Sequence, residues 1–198
     1  YKTTTDEWLG SLVEASNGDI LTVGYTSDGL AGGDDGFIMR TNNNGELLWA
    51  KTSGDGALNH FISIVEDGTS DTYYFVGRTE EQGALNSQGM FGKIDGNGDI
   101  LWIKFYGGDG DEALRKIVPG ANGDYFLCGY SSSSFGAGNF DQYVVHVNSD
   151  GNVMWSQTYG GVDNEKARSM AIDGNGNLVV IGYVQSFGAG QKDIHVIK

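Results

Sequence analysis

The chain repeats itself about every 53 residues, and this period limits the possible folds more than any other feature. A turn followed by tryptophan ends at Trp49, Trp102 and Trp155, with 53 residues between successive members. A second marker, a glycine that closes an apolar strand, recurs at Gly24, Gly77, Gly129 and Gly182. Two independent markers with the same period predict a tandem array of one supersecondary unit.

Each unit has the pattern of four short strands joined by tight turns. Asn122-Gly123 and Asp150-Gly151 in the third unit supply the positive φ angles that two-residue hairpins require. The four strands expected there are Ala113–Val118, Asp124–Ser131, Gln142–Asn148 and Asn152–Tyr159. Four short strands at a period near 50 residues are typical of a β-propeller blade.

The sequence therefore predicts an all-β chain, a β-propeller of about four tandem four-stranded antiparallel blades. A β-sandwich gives no reason for the same Trp and Gly to recur, and the coil of a β-helix is usually much shorter. The predicted blades cover residues 4–53, 54–106, 107–159 and 160–198, and the last lacks its tryptophan strand. We expect a segment of a larger propeller of six to eight blades; the alternative is that another copy completes the ring.

Composition narrows the range of partners. The chain has 12 basic and 26 acidic residues, a net charge of −14, and such a surface repels the phosphates of nucleic acids. No apolar run approaches the ~18–20 residues that span a bilayer, so membrane insertion is not expected. The single cysteine rules out an intrachain disulfide. The excess of acidic residues is explained by a solubilising surface, and no cofactor is expected. The alternative is that some of these carboxylates bind a cation such as calcium.

The third unit carries a family resemblance. Its run W-x-x-x-Y-G-G, D-E-A, N-G-D-Y-F-L-C-G-Y-S and F-D-Q-Y-V-V-H-V-N-S-D-G-N-V-M-W resembles the SBBP-type propeller repeats of exported bacterial proteins. Many of these are similar to the repeat proteins that Bacteroidetes export through the type 9 pathway. The resemblance covers the whole chain and implies an extracellular or cell-surface location. The second unit departs most, with Gln88 in place of an aspartate and Ser53-Gly54-Asp55 in place of Y-G-G.

The candidate ligand-binding residues lie on one predicted face of the propeller. The loop entering each blade and the loop between its second and third strands share this loop face, which includes 27–34, 79–88, 131–139 and 185–192. The candidates are Glu7, Trp8, His60, Glu112, Phe135, Glu165 and Phe187. Glu7, Glu112 and Glu165 share one repeat position, so their carboxylates are candidates for holding a cation or a polyhydroxyl ligand. The alternative is that they accept backbone hydrogen bonds where strands begin.

Trp8 differs from the other tryptophans. Its repeat counterparts are His60, Ala113 and Lys166, so the fold does not require an aromatic residue there. With Phe135 and Phe187 in loops of the same face, Trp8 is predicted to be an exposed contact residue. The three tryptophans of the fourth strands are predicted to pack between blades.

Several acidic groups allow more than one interpretation. Asp109, Asp111 and Glu112 are weak calcium candidates. The runs 95–99 and 148–152 look like calcium loops, but an EF-hand needs a Glu at position 12 and flanking helices, so turns are predicted. The aspartates that begin third strands, Asp35, Asp141 and Asp193, are expected to bind amides of their own loops.

Sequence patterns of catalysis are weak. Cys128 aligns with Val23, Val76 and Ile181 and is expected to fill the core, and His60 has no second histidine nearby for a zinc site. The expectation is a non-enzymatic secreted or cell-surface module, a scaffold, adhesion or ligand-binding platform for protein or glycan partners. The alternative is a glycan-binding, lectin-like propeller, and a further alternative is part of a polysaccharide-acting enzyme.

Overall fold

The described part of the chain is built from β-strands. The computed structural model describes residues 6–27, 33–54, 58–68, 70–80 and 85–198, and the regular structure in these residues is strand. The strands form three four-stranded sheets and one three-stranded sheet, each antiparallel and each in sequence order. The all-β prediction is confirmed.

Each sheet corresponds to one predicted unit, and we call the sheets blades 1 to 4. Blade 1 contains β1 (Glu7–Glu14), β2 (Ile20–Thr26), β3 (Asp35–Thr41) and β4 (Leu47–Ser53). Blade 2 contains β5 (Asn59–Glu66), β6 (Thr72–Thr79), β7 (Gln88–Asp95) and β8 (Ile100–Tyr106). Blade 3 contains β9 (Glu112–Pro119), β10 (Tyr125–Ser131), β11 (Asp141–Val147) and β12 (Val153–Tyr159). Blade 4 contains β13 (Lys166–Ile172), β14 (Leu178–Val184) and β15 (Asp193–Ile197). The strands predicted for the third unit agree with those of blade 3 within one residue at each end.

The chain divides into two compact units. Tyr1–Phe105 holds blades 1 and 2, and Tyr106–Lys198 holds blades 3 and 4. The last residue of β8, Tyr106, belongs to the second unit, where its hydroxyl donates to the carbonyl of Gly151 at 2.7 Å.

The two units use the same repeat positions to join their blades. In the first unit Val23 and Ile38 of blade 1 pack with Phe61 and Ile64 of blade 2. In the second unit the equivalent cluster is Cys128 and Val144 of blade 3 with Ala167 and Met170 of blade 4. Burial of these apolar faces is the main force that holds one blade on the next.

The repeated glycine has a steric cause. In each blade the first strand contains a β-bulge, as between Leu9 and Ser11 in β1 and between Phe61 and Ser63 in β5. A Cβ at Gly24 would overlap the carbonyl oxygen of Trp8, and one at Gly77 would overlap that of His60. The marker found in the sequence is therefore the residue that lets the bulged strand approach the second strand.

Hairpin turns are fastened by side chains in each blade. Asp95 Oδ1 accepts the N–H groups of Asn97 and Asp99 at 2.9 Å, and Asn148 Oδ1 accepts those of Asp150 and Asn152. These are Asx turns, and the prediction of turns rather than calcium loops is confirmed. No helix of the described residues is long and apolar enough to cross a membrane.

Candidate functional site

The loop that enters blade 4 is anchored by Glu165. This side chain is 0% exposed, and its carboxylate accepts three backbone N–H groups: Gly161 at 2.6 Å, Ser186 at 2.9 Å and Gln185 at 3.1 Å. Burial acts to raise the pKa of Glu165, but these hydrogen bonds outweigh it and lower the pKa below its ordinary value. Glu165 thus ties the entry loop to the loop between β14 and β15.

Glu112 has the same position in blade 3 and likewise ties the entry loop to the loop after the second strand. It is 0% exposed, accepts the hydroxyls of Ser131 at 2.6 Å and Ser133 at 2.5 Å, and accepts the Gly108 N–H at 3.0 Å. Of the two interpretations that the sequence left open for these glutamates, hydrogen bonding at the starts of strands describes both sets of contacts. A dissolved ligand has no direct access to either carboxylate in this structure.

The aspartates that begin third strands anchor the preceding loops. Asp141 Oδ2 accepts Ala137 N–H at 2.7 Å, and Asp193 Oδ2 accepts Ala189 N–H at 2.8 Å. The prediction that these aspartates bind amides of their own loops is confirmed for both. The Y-G-G run before blades 3 and 4 and the S-F-G-A-G run in their loops before the third strand are thus held together by hydrogen bonds to side-chain carboxylates.

The calcium candidates contact the loop after β10. Asp109 Oδ1 accepts the Ser134 N–H at 2.8 Å, which lowers the pKa of this exposed carboxyl. Asp111 donates its own N–H to Ser132 Oγ at 2.8 Å. No group of three or more His, Cys, Asp or Glu side chains placed to hold a metal ion occurs within the described ranges. Calcium binding at these residues stays a prediction.

An open aromatic surface lies where blade 1 meets blade 2. We call Trp8, Tyr25, Asp34 and His60 the aromatic ledge. Trp8 is 59% exposed and lies parallel to its strand partner Tyr25, with ring centres 6.1 Å apart and planes 8° apart. Tyr25 in turn stacks on His60 at 3.7 Å, and His60 Nε2 contacts Asp34 Oδ2 at 2.8 Å. The predicted exposure of Trp8 is confirmed.

The ledge combines two chemical abilities. Its exposed indole and the tyrosine beside it offer an apolar face to a flat ligand. The Asp34–His60 pair adds polar atoms beside these rings, and the Asp34 side chain is 32% exposed and can accept hydrogen bonds from a ligand. Glu7, which precedes Trp8, is half-buried, and its Oε1 makes no hydrogen bond to the described residues. Residues 1–5, 28–32, 55–57, 69 and 81–84, which include part of the predicted loop face and Asp55, lie outside the described residues.

A pocket of about 190 Å³ opens beside Phe135 in blade 3. Its lining residues are Phe135, Tyr143, Ser156, Gln157 and Thr158, and we call it the blade 3 pocket. Phe135 is 48% exposed and contacts Tyr143 with ring centres 5.6 Å apart. Phe187, at the equivalent loop position of blade 4, is 51% exposed and contacts His195 instead.

Sequence reasoning found Phe135 but missed the three polar residues of the blade 3 pocket. They follow Trp155 on β12, the edge strand of its sheet, where polar side chains usually indicate nothing more than solvent exposure. The available signal was the difference between blades, because Ser-Gln-Thr here stands against Ala-Lys-Thr in blade 1 and Ile-Lys-Phe in blade 2.

Cys128 is a core residue. Its side chain is 0% exposed, and burial raises the pKa of the thiol to about 12. A thiol with this pKa is not ionised at neutral pH and is a poor nucleophile. The prediction that Cys128 fills the core is confirmed.

Comparison with known proteins identifies the fold. No protein-family model and no curated protein matches the chain. Among solved structures, the chain is similar to the exo-β-1,3-galactanase of Phanerochaete chrysosporium with galactose (TM-score 0.52, 15% identity, 87% of this chain and 41% of that chain). A variant of that enzyme with β-1,3-galactotriose gives a TM-score of 0.54 at 15% identity, over 89% of this chain and 42% of that chain. The GH32 β-fructofuranosidase of Bombyx mori gives 0.53 at 11% identity, over 92% and 44%.

These similarities show the fold. The chain is a β-propeller, as the repeat predicted. It spans less than half the length of the three solved structures named above.

The comparison also corrects the functional expectation. The sequence favoured a non-enzymatic scaffold, adhesion or ligand-binding platform, and this prediction is wrong: the structures that the fold matches are carbohydrate-acting enzymes. The physical reason for the error is that a propeller carries its function on unit-specific loops. The regular repeat, which dominates the sequence, describes only the packing between blades. The SBBP resemblance stays a prediction.

Proposed function

We propose that this chain is the propeller part of a carbohydrate-acting enzyme. The observation that carries the proposal is the fold similarity, over 87–92% of the chain, to an exo-β-1,3-galactanase and a β-fructofuranosidase. A fold by itself admits many functions, so residues of this chain must supply the contacts with a glycan.

The aromatic ledge is the proposed glycan contact surface. A sugar ring has an apolar face of C–H groups, and an exposed indole such as Trp8 is a suitable partner for it. The Tyr25 ring lies parallel to the Trp8 indole, with planes 8° apart and ring centres 6.1 Å apart, so it supports the exposed indole that a sugar ring would contact. His60 stacks on Tyr25 and contacts Asp34, whose partly exposed carboxylate can accept hydrogen bonds from sugar hydroxyls.

A polymeric substrate also fits the expected location of the protein. Glycan polymers are too large to pass a bacterial envelope unaided, so an enzyme acting on them works outside the cell. The extracellular location and the type 9 export implied by the family resemblance are therefore part of this proposal.

The test is an assay of sugar release. The chain is incubated with β-1,3-galactan, β-1,3-galactobiose, a fructan and sucrose, and new reducing ends are measured. We expect release from at least one of these, and Trp8→Ala should lower kcat/KM by about ten-fold, the loss of about 1.4 kcal/mol of binding.

Leu101→Ala is the matched control. Leu101 is 53% exposed on β8, so its removal changes a similar amount of exposed apolar surface away from the ledge. Thermal unfolding checks that both variants are folded. The proposal fails if the wild-type chain releases sugar from no substrate of the panel.

A further inference from the structure

We propose that the blade 3 pocket is a binding site for a single neutral sugar ring. This inference rests on the proposed function, because it takes the ligand to be a carbohydrate, and it adds a second site separate from the aromatic ledge. Four observations carry it: a fixed aromatic wall, a set of hydroxyl and amide groups, a lining without charge, and a combination of residues that the other blades lack.

The aromatic wall is held in place before any ligand arrives. The Phe135 ring rests against Tyr143, and a Cβ at Gly108 would touch the ring from another side. The loop carrying Phe135 is fastened on both flanks, by Asp109 to the Ser134 N–H and by Asp141 to the Ala137 N–H. A preorganised wall spares the entropy of ordering a loop on binding.

The polar groups are those that recognise sugar hydroxyls. Gln157 has an amide with donors and an acceptor, and Ser156, Thr158 and Tyr143 have hydroxyls that can donate and accept. The Tyr143 hydroxyl interacts with Ser156, and burial raises the pKa of Tyr143, so it stays protonated at neutral pH. Gln157 Nε2 is oriented by the carbonyl of Thr158 at 3.2 Å.

Size and charge indicate the class of sugar. The volume of about 190 Å³ suits a ligand of the size of one sugar ring. The five lining residues are uncharged, in a chain with a net charge of −14. An anionic sugar would meet the negative field of the protein without a cation to balance it, so a neutral sugar is favoured.

The other blades show that the fold does not require this lining. The repeat counterparts of Gln157 in blades 1 and 2 are lysines, Lys51 and Lys104. Lys51 forms an ion pair with Asp99. In blade 4 the aromatic partner is His195, whose Nδ1 contacts Gln142 Nε2 at 3.0 Å. The hydroxyl–amide–hydroxyl run is therefore a property of blade 3 and not of the repeat.

The experiment is a binding titration of the whole chain with D-galactose and D-fructose, with D-galacturonic acid as the charged comparison. Saturable binding of a neutral sugar at millimolar concentration is expected, followed by NMR shifts of the Gln157 side-chain amide. Phe135→Ala and Gln157→Lys should each weaken it by about ten-fold or more, and galacturonic acid should bind more weakly than galactose.

Phe105→Ala provides the control, because Phe105 has the same exposure of 48% on the edge strand of blade 2. It should leave the affinity unchanged. The inference is overturned if neither neutral sugar shifts the Gln157 amide, if galacturonic acid binds as tightly as galactose, or if Phe135→Ala binds as tightly as the wild type.

Sugar release separates this inference from the proposed function. If the wild type and Phe135→Ala both release sugar and neither binds a monosaccharide in the pocket, the enzyme proposal stands and the pocket inference falls. If the pocket binds galactose but no substrate releases sugar, the pocket inference stands and the enzyme proposal falls.

Discussion

The junction of blades 1 and 2 and the junction of blades 3 and 4 share a backbone but differ in chemistry. The N–H of Asn59 donates to the carbonyl of Asp34 at 2.7 Å, and the N–H of Glu165 donates to the carbonyl of Phe140 at 2.5 Å. These residues occupy equivalent repeat positions, so one hydrogen bond ties the start of the incoming blade to the previous one in both units.

The side chains at that bond are different. In the first junction Tyr25 stacks on His60, which is paired with Asp34, and Trp8 leaves an exposed surface. In the second junction the counterpart of His60 is Lys166, whose Nζ lies 3.8 Å from the ring centre of Tyr130 and 3.5 Å from that of Phe140. Its counterpart of Trp8 is Ala113, which is 0% exposed.

The comparison teaches how a propeller acquires a site. The tyrosine of the second strand is kept, at Tyr25 and Tyr130, and the residue supplied by the next blade decides the surface. In the second junction the ammonium group of Lys166 occupies the space between the Tyr130 and Phe140 rings. Where a histidine paired with an aspartate stacks on the tyrosine, the Trp8 indole stays exposed to a ligand.

The largest expected effect concerns the carboxylate that distinguishes the junctions. Glu165→Ala leaves the N–H groups of Gly161, Gln185 and Ser186 without their acceptor, so we expect the free energy of unfolding to fall by about 3 kcal/mol. Asn59→Ala removes the hydrogen bond that Asn59 Oδ1 accepts from Thr79 Oγ1 and should lower the free energy of unfolding by about 1 kcal/mol.

Urea unfolding followed by circular dichroism measures both changes, and amide exchange of Ser186 reports the loop directly. Equal losses in the two variants would contradict the view that only the second junction depends on a buried anion.

The next effect concerns the residue that faces the tyrosine shared by blades 1 and 3, Tyr25 and Tyr130. Lys166→Met keeps the aliphatic volume but removes the cation between the rings of Tyr130 and Phe140, so stability should fall by about 1–2 kcal/mol. His60→Phe keeps a ring against Tyr25 and loses the Asp34 contact, so the loss of stability should be about 1 kcal/mol or less.

Thermal unfolding of the two variants provides the measurement. Burial and the neighbouring guanidinium groups of Arg115 and Arg168 lower the pKa of Lys166, whereas the ring faces favour its cation. If Lys166→Met were more stable than the wild type, the cost of burying the Lys166 cation would exceed its attraction to the two rings, which would contradict this prediction.

The smallest effect concerns the basic side chain of the third strand that anchors the hairpin turn. In blade 1 this is Arg40, which contacts Asp19 at 2.9 Å and Asp71 at 3.0 Å and also donates to the Gly96 carbonyl of blade 2. In blade 3 it is His146, with Asp124 Oδ2 as its partner. The hydrogen bond with His146 lowers the pKa of Asp124, so its contribution to stability is present above the ordinary value, ~4, and disappears as the pH falls through the lowered value.

Asp124→Asn should therefore cost about 1 kcal/mol at pH 7, and the difference from the wild type should vanish on acidification below about pH 4. Urea unfolding at pH 7, 4, 3 and 2 measures this. His146→Phe serves as the control, since without its donor the pKa of Asp124 should return toward the ordinary value. A difference that persists unchanged to pH 2 would show that Asp124 acts through packing alone.

Much of the fold could be predicted from the sequence because the repeated residues mark the blades and their bulges. The spacing of Trp49, Trp102 and Trp155 gave the blades, and Gly24 with its counterparts marked the bulges that β1 and β5 contain. The Asx turns after Asp95 and Asn148 followed from local hydrogen bonding alone. Periodic packing and local turns depend on neighbouring residues, which a sequence shows directly.

Only some residues of the candidate sites could be predicted from the sequence. Trp8 and Phe135 stood out because the repeat does not require aromatic residues at their positions. Tyr25, Asp34 and the polar run after Trp155 did not, because their importance arises from what lies beside them. Glu112 and Glu165 were named as candidates, but only the structure placed their carboxylates among loop amides.

The sequence by itself determined that the chain is all β and that its repeating unit is a blade of four short strands. Only the tertiary structure decided which carboxylates are buried, which aromatic rings are open, and that a neutral pocket forms between the loop after β10 and the edge strand β12. The physical reason is the separation along the chain between the residues that interact. Strand alternation and turns are set by residues close in the chain, whereas the burial of a charge or the lining of a pocket depends on segments some 20 to 40 residues apart that meet only after folding.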